Sequence, residues 1–392
     1  MTRQMLRERV QGHHARVTTV ELFFDLVFVF AVTQLSHALL EQHGLAAVLE
    51  TLLLLLAVWW AWIYTTWVTN WLDPDNPVVR SALFVLMALG LLLSSSIPEA
   101  FGERALIFAL AFTATQVGRT LFMVWAVRSD DSLRRNFVRM AIWKSLSAVF
   151  WLSGALAGGW QAAFWSAALA IEYASAALGF WTPGMGRTST DEWTVEGAHM
   201  AERCGLFIII CLGESILMTG ATFAGGHWTP ADAAAFLIAL LGSVAMWWIY
   251  FNAAAEAASE AIASSRDPGA IARLAYTYAH IPIVAGIIVA AAGDELALAH
   301  PLGELEPRAA WLILGGPALF LAGGLWFKHA VFRVISPSRV TGLALLGAAA
   351  VATPHLTPIA LLGAATTALG VTAAWETFVR RSPGPAAEGV GG

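Results

Sequence analysis

Twelve times along this chain an apolar run recurs that is long enough to cross a hydrocarbon layer roughly 30 Å thick, which is more than a soluble core could absorb. The runs cover 18–41, 46–69, 78–97, 104–127, 139–157 and 160–181, then 201–222, 232–252, 271–292, 309–329, 339–353 and 357–379. The fifth and eleventh are short and rich in small residues. Composition agrees: 58% of the 392 residues are hydrophobic and 12% charged, where a soluble domain carries about 25% charged residues. The excess apolar surface must face lipid. The expected fold is all-α, a polytopic integral membrane protein of about twelve transmembrane helices.

Basic residues set the expected orientation. An even number of crossings leaves both termini on one side, and that side collects Arg3, Arg7, Arg9, Arg16, Arg80, Arg128, Arg134, Arg135, Arg139, Arg187, Arg266, Arg273, Lys328, Arg333, Arg339, Arg380 and Arg381. The other side offers Arg104 and Arg308. Cytoplasmic loops carry the excess of Lys and Arg, so both termini are expected in the cytoplasm and the protein in the plasma membrane. The N-terminal arginines before the first run resemble a secretory signal, but that run spans about 20 residues without a small-residue cleavage site and reads as a retained span. The segment SPGPAAEGVGG after Arg381 is expected to be disordered. Cys204 and Cys211 lie seven residues apart on one expected helix, about 10 Å along its axis, beyond disulfide reach. They read as small apolar helix residues.

The two sets of six runs share features in order. Trp62-Ile63-Tyr64 reappears as Trp248-Ile249-Tyr250, Arg104-Ala105 as Arg308-Ala309, Ala126-Val127 as Ala330-Val331, Glu172 as Glu376, and Glu21 as Glu202. The offset drifts slowly, as in an old duplication. The expected organisation is a first six-helix repeat over 1–181 behind a cytoplasmic arm, a second over 182–381, and the tail 382–392. Six spans per repeat give both copies the same orientation, related by an axis along the membrane normal. Such repeats are more often a transporter or channel architecture than an enzyme's, a step that rests on fold analogy.

Ionisable groups inside spans cost about 2.5–3.5 kcal/mol each and so face the bundle interior, paired. Glu21 and Asp25 sit one turn apart on one face of the first span. At about 1.5 Å per residue, Asp25, Arg119, Lys144 and Glu172 fall at comparable depth, and Arg203 joins them through the repeat offset. A polar layer is expected in which Arg203 pairs with Glu21 or Asp25, and Arg119 or Lys144 pairs with Glu172. Such pairs can also serve only to lock helices together. Glu214 lies deeper, with no intramembrane cation at its level; an unpaired carboxylate there is protonated or solvated by a water-filled cavity. His280, mid-span, is the candidate proton partner. Trp59, Trp60, Trp62, Trp67, Trp71, Trp247 and Trp248 are read as anchors in the headgroup layer.

The run VELFFDLVFVFAVTQLSHAL in the first span and AERCGLFIIICLGESIL in the seventh resemble the two signature segments of the bacterial low temperature requirement A family, over about residues 13–380. The resemblance implies a multi-pass membrane protein named for a cold-growth phenotype, with Glu21, Asp25, Gln34, Arg203 and Glu214 as the matching polar residues. More loosely, Phe23-Phe24-Asp25-Leu26-Val27-Phe28, followed by Ala31 and Thr33, is similar to the Phe-Ser-Asp-Gly-Val-Phe run of endolysosomal potassium-channel-like proteins. Here Phe24 replaces the serine, and Leu206 stands where the second copy would carry aspartate.

The leading expectation is a transporter of a small solute or ion along a path between the halves, lined by Asp25, Glu214 and neighbouring polar groups (Glu21, Gln34, His280). A cation channel and a non-transporting stress or sensory protein are the alternatives. An enzyme is not expected: HExxH, GxSxG and Walker A patterns are missing from the sequence, and exposed His355 reads as a turn residue. No metal or cofactor is expected. The partners are the lipid bilayer and the solute or ion; with basic residues scattered in short loops and a net charge of −5, nucleic acid is not one. The oligomeric state is left open.

Overall fold

The computed structural model of the protein describes residues 5–7, 16–41, 44–188, 195–252, 258, 261–262, 265 and 267–381, the last three by backbone alone. Arg3, Arg9, Arg266 and the tail 382–392, with its expected disorder, lie outside the described residues. Among those described, twelve long helices follow one another: α1 (Thr19–Glu41), α2 (Leu45–Trp71), α3 (Pro77–Ser96), α4 (Ala105–Ala126), α5 (Asp131–Ala155), α6 (Gln161–Ala177), α7 (Gly197–Gly225), α8 (Pro230–Phe251), α9 (Pro268–Ala299), α10 (Pro307–Phe332), α11 (Pro337–Ala352) and α12 (Pro358–Arg381). Nine of these, all but α5, α6 and α11, are long and apolar enough to cross a membrane. The chain is an all-helical, multi-pass membrane protein.

Local chemistry explains where the helices begin. Thr229 caps α8 in a reciprocal capping box with Asp232, with Pro230 in the first turn. Asn76 accepts from the Val78 amide ahead of Pro77 in α3. Helix α5 starts eight residues before its apolar run, because Asp130 accepts from the amides of Ser132 and Leu133 and carries the polar turn Arg134–Arg139 into the helix. Helix α9 is interrupted by a π-helical stretch, Arg273–Tyr278.

The chain forms two compact units, Met1–Glu214 with Ser259–Ile281, and Ser215–Ala258 with Pro282–Gly392. In the first unit α3 packs on α1 and α4, and α5 on α4 and α6, while α2 touches α1, α4 and α6. Helix α2 is buried on every side from Ala57 to Ile63, as a centrally placed apolar helix must be. In the second unit α8 packs on α12, and α10, α11 and α12 pack on one another. There α9 and α10 meet backbone to backbone. A β-carbon on Gly316 would lie 2.4 Å from the Ala290 amide nitrogen, and one on Gly286 2.4 Å from that of Phe320. Small residues permit this approach, which supplies packing where lipid offers no hydrophobic drive.

The outside of each unit is apolar and the inside holds the charges. Phe23, Leu26, Val85, Leu121 and Val149 are exposed in the first unit, Leu217, Leu237 and Leu241 in the second, while Glu21, Asp25, Lys144, Glu172 and Arg203 are buried. This inversion suits a protein dissolved in lipid.

Candidate functional site

The first helix builds the site from its N-terminal turn. Thr18 and Glu21 form a capping box: the Thr18 amide donates to Glu21 Oε2 at 2.9 Å and the Glu21 amide to Thr18 Oγ1 at 3.4 Å. The carboxylate, held there, also accepts from Arg7 Nη2 at 2.9 Å, and its Oε1 lies 2.8 Å from His199 Nε2 on α7. Because Asn70 Nδ2 sits 3.3 Å from His199 Nδ1, the amide donates there and the Nε2 proton is left for Glu21. Arg7, read from the sequence as part of a cytoplasmic arm, is therefore a partner of the buried Glu21. Backbone pairing of Met5 and Arg7 with the end of α2 carries it in, through Arg7 N to Trp71 O at 2.9 Å and Asp73 N to Met5 O at 2.8 Å.

One turn deeper, Asp25 Oδ1 accepts from Arg203 Nη2 at 2.8 Å and from Trp62 Nε1 at 2.7 Å. Between the two acids the sequence left open, Arg203 takes Asp25. The pair is incompletely satisfied: Asp25 Oδ2 and Arg203 Nε and Nη1 have no hydrogen-bond partner among the described residues. Deeper still, Thr33 Oγ1 donates to Glu214 Oε2 at 2.7 Å. Glu214 is buried and forms no ion pair among the described residues; the proton partner expected from sequence, His280, instead has its Nδ1 2.8 Å from the Ala275 carbonyl and its ring stacked on Trp59. The π-helical stretch accounts for this, since it shifts the start of the following helix and frees backbone carbonyls. Gln34 is half-buried and Ser36 buried on α1, with no hydrogen-bond partner for Ser36 Oγ among the described residues.

A second cluster joins α2, α4, α5 and α6. Lys144 Nζ pairs with Glu172, which also accepts from Trp60 Nε1 at 2.7 Å. The Lys144 ammonium lies 3.9 Å from the Tyr64 ring centroid and 5.0 Å from that of Trp60, a cation–π enclosure. Arg119 does not take Glu172. It donates to Gln116, to the Ala61 carbonyl at 2.8 Å and to Thr65 Oγ1 at 2.9 Å.

The tryptophans of α2 correct the anchor assignment. Trp59, Trp60, Trp62, Trp67 and Trp71 are all buried, at 6% exposure or less. Trp59 and Trp67 donate to the carbonyl and hydroxyl of Thr277 in the π stretch, as Trp60 and Trp62 donate to the two acids. A tally of rise per residue would have flagged them, since Trp59–Trp62 stand fourteen residues or more into a helix that begins at Leu45 and so lie near mid-membrane. Trp247 and Trp248 are exposed, at 44% and 41%. Trp60→Phe, which removes a donor to a buried carboxylate, is expected to cost about 1.5–3 kcal/mol, and Trp247→Phe within about 0.5 kcal/mol. Thermal unfolding in detergent compares them.

The second unit holds a parallel constellation. Glu376 Oε1 accepts from Lys328 Nζ at 2.7 Å and Arg339 Nε at 3.0 Å, and from Ser338 Oγ at 3.0 Å. Lys328 and Arg339 stand at the margins of their apolar runs, which from sequence reads as loop; the helices extend past those margins, burying Arg339 and half-burying Lys328. Trp248 Nε1 donates to Thr377 Oγ1 at 2.8 Å, next to Glu376.

The protein family described as bacterial low temperature requirement A protein (LtrA) matches this chain over residues 16–374. An uncharacterized protein of Rhizobium meliloti (strain 1021) is 38% identical over 358 residues, covering 91% of this chain and 88% of that protein. No solved structure matches. With a match across nearly the whole chain, and with Glu21, Asp25, Arg203 and Glu214 of the two signature segments buried, the protein belongs to the bacterial low temperature requirement A family.

Proposed function

We propose that the protein is a transporter that moves a small solute or ion through the membrane along a polar path on α1 and α7, without transforming it. The observation that carries this reading is Glu214, a buried carboxylate deep in α7 whose hydrogen bond comes from the Thr33 hydroxyl and which has no cation beside it among the described residues. Intramembrane acids of this kind are a mark of ion and proton pathways. The unsatisfied atoms of Asp25, about two turns from Thr33, and of Arg203, about three turns from Glu214, extend the polar line, since buried polar groups in folded proteins are nearly always hydrogen-bonded.

The reading includes twelve crossings in two parallel six-helix repeats, both termini cytoplasmic, in the plasma membrane. Three features support it. The twelve helices coincide in number and order with the twelve apolar runs. Cations from the fourth and fifth helices of each set meet a glutamate from the sixth in Arg119, Lys144 and Glu172 and again in Lys328, Arg339 and Glu376, although Arg119 itself stops short of the acid. Helices α1 and α7, first in each set, meet at Glu21–His199, Asp25–Arg203 and Thr33–Glu214, with sequence differences of 178, 178 and 181, the near-constant register of parallel neighbours. The channel alternative is less well supported, because Arg203 and Trp62 already occupy Asp25, the residue that would face a cation pore.

Glu214→Gln keeps an acceptor for Thr33 and removes the titratable charge. In proteoliposomes its flux is expected to fall by about tenfold or more, a loss of about 1.4 kcal/mol or more at the limiting step, at unchanged folded yield. Wild-type flux in this variant would remove Glu214 from the path.

A further inference from the structure

Between α2, α3 and α4 of the first unit lies a cavity of about 310 Å³, walled by Val79, Leu83, Leu86 and Phe122. It sits where α2 and α4 end and α3 begins. Ala114 and Gly118 of α4 also line it and are exposed on the outer surface, so small residues leave its mouth open toward lipid. One charged side chain lines the cavity. Arg119 is 2% exposed, and its hydrogen-bond partners are all neutral: the Ala61 carbonyl, the Thr65 hydroxyl and Gln116. These bonds use three of the five N–H donors of a guanidinium and leave two for a further acceptor. Glu172, the acid of the same cluster, is taken by Lys144 and Trp60. Arg119 thus forms no ion pair among the described residues, although a buried charge is costly unless an opposite charge meets it.

The walls select an alkyl chain, and the guanidinium selects an anion at its end. Depth and size decide which amphiphile that is. Arg119 stands seven residues before Ala126, where α4 ends, and so about 10 Å inside that end. A phospholipid keeps its phosphate in the headgroup layer and carries two chains, whereas this cavity is at the lower end of ligand pockets, which run from about 300 to 1,000 Å³. A cavity of about 150 Å³ takes a benzene ring, so one about twice that size holds a single chain of roughly a dozen carbons. We infer that the cavity binds a free fatty acid of medium chain length, its carboxylate on Arg119 and its tail against α3, entering from the bilayer past Ala114 and Gly118.

The test uses the full-length protein in a sugar-headed, non-ionic detergent with radiolabelled dodecanoic acid as probe. Binding is read without flux, so its failure and that of the path through Glu214 are separable. Saturable binding of one dodecanoate per chain is expected. Dodecanol, which keeps the chain and lacks the charge, is expected to displace it about tenfold less well than unlabelled dodecanoate. Phosphatidylglycerol, an anion with two chains, is expected not to displace it. Gly118→Leu fills the mouth at a position where a β-carbon meets nothing within 4 Å; it is expected to fold normally and to bind dodecanoate about tenfold more weakly or worse. Arg119→Gln is expected to erase the preference for dodecanoate over dodecanol. Absent saturable binding, equal displacement by dodecanol, displacement by phosphatidylglycerol as effective as by dodecanoate, or wild-type affinity in Gly118→Leu would each overturn the assignment. So would a preference for dodecanoate that survives in Arg119→Gln; should that variant fail to fold, the dodecanol comparison and Gly118→Leu decide.

Discussion

Arg203→Met is expected to lower stability by about 3–5 kcal/mol, because it strands Asp25 as a buried carboxylate with only the Trp62 indole to hold it. Both partners are at most 2% exposed, so solvent screening offers no relief. The double variant Asp25→Asn with Arg203→Met removes both charges, and replacing a whole buried pair is often near neutral. It is therefore expected to recover most of the loss. Thermal unfolding of the four proteins of this cycle in detergent measures the coupling; a single Arg203→Met protein as stable as wild type would contradict the pairing.

The second large effect separates adjacent residues. Gly316→Ala places a β-carbon 2.4 Å from the backbone of Ala290, which cannot rotate aside as a side chain would, whereas a β-carbon on Gly315 meets nothing within 4 Å. The Gly316 change is expected to cost about 1–3 kcal/mol or more through overpacking. Gly315→Ala is expected to stabilise α10 by up to about 1 kcal/mol through helix propensity. Opposite signs of the Tm shift in the two variants test whether α9 and α10 meet backbone to backbone.

The helices were legible in the sequence because length and apolarity are properties of continuous runs. The pairing of Arg203 with an acid on the first span, and of a cation with Glu172, followed from depth counted along each helix. What escaped notice did so for identifiable reasons. The α2 tryptophans were judged by the habit of indoles at interfaces rather than by their own depth, and they prove to be donors to Asp25, Glu172 and Thr277. Lys328 and Arg339 stood where apolar runs end, and a helix continues past that point whenever its polar groups find partners, as these do on Glu376. Asp294 fell two residues beyond the expected ninth span, while the helix carries on to Ala299. Arg7 and His199 reach Glu21 through backbone pairing and a neighbouring helix, contacts between segments far apart in the chain that composition does not encode.

The central claim is that Glu214 borders a hydrated path while the neighbouring outward face of α7 meets lipid. Its most direct test is labelling by a charged, membrane-impermeant thiol reagent in membranes, in a background where Cys204 and Cys211, both buried, are replaced by alanine. Glu214→Cys is predicted to react from at least one side, whereas Leu217→Cys, at a position 63% exposed on the apolar surface, is predicted to stay unlabelled. A Glu214→Cys protein that is folded and inert from both sides would contradict the account.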